Sequence, residues 1–310
     1  MNETVILLKI ENLMKAAMKR AYHWEDFEID YYGLLAQARS IYHPDYNYSA
    51  LVQAYFDLMP ERRHADDNDI FDSKFEFKAW QRKLRLRHTD FIATFWSNNN
   101  SNRQSLFEHV DDLLDQHCKL LLVRVDLSYP AENNPTIRQF NRDIKKLLNR
   151  IQNKDTIFKY QLGYVYRLEQ GGKSKTYHCH LLVIFNGSEV CNDGYYAQAI
   201  GELWADKITG DEGIFYNCNQ KSHKQRYEAD NRLGLGMLRY DDDTKLEAAF
   251  NTMGYLAKPD KDNQYLRGNL KDMREFGRSQ GRRRRTPARS SYRRRRTIDY
   301  QKYRLDTYRK

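Results

Sequence analysis

The chain has 310 residues, 40% of them hydrophobic and 30% charged, the composition of a protein that can bury one or two full cores. Its formal charge is +10, but the stretch from Arg278 to Lys310 holds 14 Lys or Arg against two acids, Asp299 and Asp306, a local balance of +12. The first 277 residues therefore sum to −2, which excludes a uniformly basic globular part and confines the excess charge to a tail.

At the N-terminus, "MNETVILLKIENLMKAAMKR" reaches Lys9 and Glu11 after an apolar run of about five residues, too short for a signal peptide's core or a membrane span. The expectation is a cytoplasmic protein with no membrane partner. The four cysteines, Cys118, Cys179, Cys191 and Cys218, form no C-x-x-C pair. Zinc-ribbon and dithiol redox chemistry are therefore not written in them, and they are expected to be reduced thiols packed as small hydrophobes.

Residues 1–105 carry helical apolar spacing in "VILLKIENLMKAAMKRAY", "YGLLAQARSIY", "ALVQAYFDLM" and "FEFKAWQRKLRLRHTDFIATFW". No chemistry is legible there; the acidic stretch "ERRHADDNDIFD", with His64, reads as a loop. From residue 106 the pattern changes. "SLFEHVDDLLDQH" is helix-like, and "CKLLLVRVDLSY" is apolar enough for a central strand. "NPTIRQFNRDIKKLLNRIQN" sets Ile137, Phe140, Ile144, Leu147, Leu148 and Ile151 on one helical face.

"FKYQLGYVYRLEQ", the turn "GGKSK" and "TYHCHLLVIF" read together as a hairpin. "YYAQAIGELWADKIT" follows as a helix offering Ala199, Leu203 and Trp204 to the core, and "GIFYNCNQ" as a further strand. Strand, helix, strand, strand, helix, strand is the split βαβ order, so the predicted class is α+β: a ferredoxin-like antiparallel sheet with helices on one face, preceded by a helical region. The expected organisation is 1–105 helical and of unknown role, 106–277 sheet domain, 278–310 basic and disordered tail.

Within the hairpin, alternation puts His178 and His180 on one strand face and Cys179 on the other. Across the turn Glu169 closes the preceding strand and faces the histidines if the hairpin register is favourable. Two imidazoles and a carboxylate suit Mg²⁺ or Mn²⁺ with positions left for phosphate oxygens and water, although H-x-H in a strand also occurs as plain polar decoration. Asp126 is the next carboxylate in line. After "DDDTKLEAAFNTM", a helix with Leu246, Ala249, Phe250 and Met253 on its apolar side, comes "GYLAKPDK". There Tyr255 and Lys258 lie one helical turn apart, before Pro259 ends the helix. In the tail, Arg282, Arg283, Arg284, Arg285 and Arg293, Arg294, Arg295, Arg296 form two blocks that bind nucleic acid through phosphate charge, without base specificity.

"YHCHLLVIF" resembles the His-hydrophobic-His motif of the HUH endonucleases and "YLAK" their Tyr-x-x-Lys motif, in the same order. "LLLVRVDLSYP" falls where that superfamily's first motif strand lies. Over residues 106–275 the chain is similar to the inovirus-type replication initiators of filamentous phages and enterobacterial prophages.

The resemblance implies that His178, His180 and Glu169 hold the metal, that Tyr255 is the nucleophile, and that Lys258 holds the scissile phosphate or tunes the tyrosine. It implies rolling-circle initiation: metal-dependent nicking of single-stranded origin DNA to a 5′-phosphotyrosine and a free 3′-OH, with rejoining by the reverse attack. Host helicase and polymerase are the expected partners, since no G-x-x-x-x-G-K-[ST] loop is present. Two departures stand out: Cys179 replaces the usual aliphatic, and position 251 is Asn251, which argues for a single-tyrosine mechanism. Two further readings stay open. One is a non-catalytic nucleic-acid-binding regulator whose sheet offers Tyr164 and Tyr166 as stacking platforms; the other is a zinc-stabilised structural domain, disfavoured by the missing cysteine pair.

Overall fold

The computed structural model describes residues 2–60, 70–133, 135–171, 176–228, 232–257 and 265–280. Helix α1 (Glu3–Ala17) starts where the Asn2 side chain accepts the Val5 N–H at 3.3 Å, filling one of the donors that a helix start leaves open. Ile6, Leu7, Ile10, Met14 and Ala17 then recur at helical spacing and are buried. They pack with α2 (Trp24–Ile41), α3 (Ala50–Asp57) and the start of α4 (Lys74–Gln116) around Phe27, Tyr31, Tyr55 and Phe77. Strand β1 (Tyr46–Tyr48) lies between α2 and α3. The helical character expected of the N-terminal region is present.

Helix α4 belongs to two cores. It is capped by Ser73, runs for 43 residues, and so spans about 64 Å. Its Phe77 and Leu84 are in the N-terminal core, while Leu106, Phe107, Val110, Leu113 and Leu114 lie against the sheet. The expected division at 105/106 falls inside this one helix.

The sheet is built from β2 (Lys119–Ser128), β3 (Gln161–Gly171), β4 (Thr176–Asn186), β5 (Ile214–Asn217), β6 (Gly236–Arg239) and β8 (Phe276–Arg278). Their order is β5-β2-β4-β3-β8, with β6 pairing the other half of β2, and every pairing is antiparallel. Strand β7 (Gly268–Leu270) pairs with β1 in a separate two-stranded ribbon. That ribbon, two short segments more than two hundred residues apart, joins the N-terminal helices to the segment between α8 and β8.

Helices cover both faces of the sheet, not one as expected. On one side α5 (Ile137–Gln152) lays Ile137, Phe140, Ile144, Leu147 and Ile151 over Val125, Leu127, Leu181 and Val183. With it packs α6 (Asp193–Glu202), whose buried residues are Ala197 and Ile200 in place of the expected Ala199. A π-helical turn, Leu203–Ile208, follows and buries the expected Trp204 and also Ile208. On the opposite side, Leu120, Leu122, Val165, Leu182 and Ile184 meet α4 and α8 (Asp243–Ala257). The four apolar positions expected on α8, Leu246, Ala249, Phe250 and Met253, are all buried there. Helix α7 (Lys221–Glu228) buries none of its residues. Among the described residues no helix is long and apolar enough to cross a membrane.

Candidate active site

The strands of the sheet are mostly apolar, and six of their charged or imidazole side chains share one face, because the alternation has period 2. In the β2–β4 ladder Asp126 pairs with His180 and Ser128 with His178. In the β3–β4 ladder Arg167 pairs with His180 and Glu169 with His178. Directly opposed residues share a face, so Arg124, Asp126, Arg167, Glu169, His178 and His180 form one polar island on the side covered by α4 and α8.

His180 sits between two carboxylates. Its Nδ1 is 2.8 Å from Asp126 Oδ1 and its Nε2 is 3.3 Å from Glu169 Oε2. Arg124 grips Asp126 with two N–H donors, at 3.0 and 3.2 Å. Burial opposes charge on His180, but the Asp126 carboxylate and then the two hydrogen bonds outweigh it and raise the imidazole to about 9. Burial likewise works against the Asp126 carboxylate; Arg124 and then His180 overturn it and hold this group well below the usual range. Both shifts favour a protonated His180 held between Asp126 and Glu169.

His178 has the opposite character. Its Nε2 donates to the Gly171 carbonyl at 2.6 Å, and its Nδ1 lies 3.4 Å from Thr176 Oγ1. Burial lowers its pKa, so it is neutral at pH 7. Gly171 has φ +123°, a conformation open to glycine and costly for other residues, and this turns its carbonyl toward the ring.

Arg167 ties the site to the helices above it. It is fully buried, and Nη1 donates to Asn99 Oδ1 of α4 at 2.8 Å and to the Ala257 carbonyl of α8 at 3.1 Å. Its Nε lies 3.3 Å from Glu169 Oε1, an ion pair without hydrogen-bond alignment. The guanidinium stands over the Phe95 ring, 5.6 Å from its centroid. The last turn of α8, which includes position 255, is thus held against the residue directly opposite His180.

Of the residues expected at the site, His178, His180 and Glu169 come together, and Asp126 joins them. Tyr255 lies in α8, but its side chain is outside the described residues, as are Lys258 and the arginines 282–285 and 293–296. Cys179 points to the far face and is buried, and burial pushes its thiol well up, as expected of a cysteine packed as a small hydrophobe. Tyr164 and Tyr166 also lie on that far face, in the core shared with α5. They are not on an open sheet surface.

Two imidazoles and two carboxylates have the donor chemistry of a divalent-cation site. In this arrangement the donors are spent on one another and on Arg124, Arg167 and the Gly171 carbonyl. Among the described residues, no group of three or more His, Cys, Asp or Glu is arranged to hold a metal ion. Sequence reasoning missed Arg124, Arg167 and Asn99. The first two carried a usable signal, a charged residue two positions before each site carboxylate; Asn99, on a helix expected to belong elsewhere, carried none.

Residues 90–279 match the family model described as the YagK/YfjJ C-terminal domain, that of a family of prophage-like enterobacterial proteins. The match begins inside α4 and ends just after β8, so the part of α4 that carries Asn99 falls within it. No curated protein and no solved structure matches the chain.

Proposed function

We propose a function from the premise that this chain belongs to the YagK/YfjJ C-terminal domain family: a replication-initiating endonuclease that nicks single-stranded origin DNA through Tyr255. One observation carries the reading. The sheet face with His178, His180 and Glu169 is the face on which α8 packs, and the Ala257 carbonyl, two residues after position 255, is bonded to Arg167, the partner of His180 in the ladder. The last described turn of α8 is thus bonded to the strand next to the histidine strand, which supports the pairing of the two motifs. The strand order β5-β2-β4-β3, all antiparallel with crossovers through α5 and α6, supports the ferredoxin-like, HUH-type reading of the sheet.

In the proposed reaction the Tyr255 Oη–P bond forms as the P–O3′ bond breaks. The phenol proton would pass to a basic group or water, and a proton would return from it to the 3′ oxygen, which leaves as a hydroxyl. A 5′-phosphotyrosine keeps the bond energy, so a 3′-OH can reverse the attack and rejoin strands. Arg124 is a cation on the sheet face that offsets charge developing on the phosphoryl oxygens. Mg²⁺ or Mn²⁺ is the proposed cofactor: His178, His180 and Glu169 would hold it, and it would supply Lewis-acid polarisation of the phosphate. Its uptake requires those groups to exchange their present partners.

The eight arginines of 282–285 and 293–296 add sequence-independent affinity for DNA, and host helicase and polymerase complete the proposed replication role.

The test is a denaturing gel for a DNA-linked band after incubation with single-stranded origin DNA, with and without Mn²⁺. The wild type gives an adduct whose peptide maps to Tyr255; Tyr255→Phe binds DNA and gives none; His178→Ala and His180→Ala lose the metal response while staying folded. Normal sequence-specific binding with no adduct from any substrate sinks the reading and leaves a non-catalytic regulator.

A further inference from the structure

Strand β5 is the sheet edge beside the candidate site, and its Tyr216 pairs with Asp126 in the β5–β2 ladder. Tyr216 therefore stands on the site's own face, one strand from Asp126 and two from His180. It is 43% exposed. Its hydroxyl lies 3.2 Å from His223 Nδ1, and the two ring centroids are 5.5 Å apart. His223 in turn lies 5.2 Å from the ring of Tyr227, four residues on along α7 and so on the same helical face. Tyr227 is 38% exposed. Three aromatic rings thus form a continuous row from the outer surface of α7 to the edge of the polar island.

A fold-stabilising role does not account for the row. Helix α7 has eight residues and buries none of them, so it contributes no core, and a helix that short is marginal in isolation. Besides the Tyr216–His223 contact, Lys224 ties it to Asp193 at 2.9 Å. The remaining cations of α7, Lys221 and Arg226, are exposed. Burial and the nearby Arg124 charge lower the pKa of His223, so the middle ring is neutral at pH 7 and presents a π-face. Exposed aromatic rings in series, flanked by Lys and Arg, are the surface that single-stranded nucleic acid uses: bases stack on the rings and phosphates lie along the cations. A protein partner would instead favour a continuous apolar patch, which this polar helix does not offer.

We propose that Tyr216, His223 and Tyr227 are a base-stacking track that leads single-stranded DNA along α7 and over the β5 edge onto the Asp126–His180 face. The choice of DNA as occupant rests on the nicking function proposed above; the track itself rests on the rings and their position.

The test uses the full chain and an oligothymidine with no origin sequence, so that binding is read apart from cleavage. Affinity is measured by fluorescence anisotropy at low and at elevated salt. Tyr216→Ala and Tyr227→Ala should each weaken binding by about tenfold at both salt concentrations, because stacking, unlike phosphate contact, is little screened. Tyr216→Phe and Tyr227→Phe should bind like the wild type. A 5-iodouracil-substituted strand should photocrosslink to one or more of the three rings.

Alanine variants that bind as the wild type does, or crosslinks that map only outside 214–228, overturn the track. Phenylalanine variants as weak as the alanine ones overturn the stacking basis. Loss of oligothymidine binding in the alanine variants of a protein that forms no tyrosine adduct with origin DNA leaves the track standing and removes the nickase.

Discussion

Glu11 and Arg267 form a buried ion pair across 256 positions of sequence, with Arg267 Nη2 2.8 Å and Nε 2.9 Å from Glu11 Oε2. The Tyr265 hydroxyl donates to the other carboxylate oxygen, and Arg267 Nη1 donates to the Gln170 carbonyl at 3.0 Å. Gln170 also reaches Thr4 of α1. The first helix is thus bonded to the end of β3, one residue before the Gly171 carbonyl that holds His178. The helical N-terminal region is a support of the site's hairpin as well as a separate core.

Breaking this pair by one partner leaves a buried charge without compensation, which costs about 3–5 kcal/mol. Glu11→Gln is expected to lower urea stability by that order. Glu11→Met combined with Arg267→Met should cost clearly less than the two single changes added together. Additive losses would mean that the two groups do not act as a pair.

Arg167 is expected to couple α4 to the site. Asn99→Leu removes the acceptor of a charge-assisted hydrogen bond and should cost about 1.5–3 kcal/mol. In an Arg167→Met background the same change should cost much less, since the buried guanidinium is gone. Equal costs in both backgrounds, by chemical denaturation, would show that Asn99 serves packing alone.

His109 supplies a pH dependence. It is buried, and its Nε2 lies 2.9 Å from Ser279 Oγ. Burial, and then the Arg278 charge, lower its pKa to about 4. In the unfolded chain it titrates near 6.5. The folded state therefore binds fewer protons between the two values, and stability rises with pH there. Its contribution is complete above about pH 6.5 and is lost as pH falls toward 4, by no more than about 3 kcal/mol. Denaturation at pH 7.0, 5.5 and 4.5 should give a steeper fall for the wild type than for His109→Gln; parallel curves would remove His109 as the cause.

The cysteines should divide by position. Cys118 and Cys191 are exposed, whereas Cys179 and Cys218 are buried. Burial raises both buried thiols, Cys218 to about 12. A thiol reagent at pH 8 should label two residues quickly in the native protein and four after unfolding. Fast native labelling of Cys179 would contradict its place beneath the histidine face.

What the sequence by itself determined was local and periodic. The two-residue alternation of "YHCHLLVIF" put His178 and His180 on one face, and the helical spacing of residues 137–151 and 246–253 marked the sides of α5 and α8 that are buried. Those patterns lie within single elements, and the chain's own geometry sets their period. Glu169 was legible as well, because a hairpin makes its partner a near neighbour in sequence. Tertiary structure alone decided the rest. Asp126 joins His180 only through the β2–β4 register, Asn99 reaches Arg167 only because α4 runs unbroken over two cores, and Glu11 meets Arg267 across nearly the whole chain. The strands of three or four residues, β1 and β5 to β8, are too short to carry a period of their own. Their pairing, and with it the second helical layer and the placing of Tyr216 beside Asp126, depends on how distant apolar faces are buried together, a choice that no local window of residues contains.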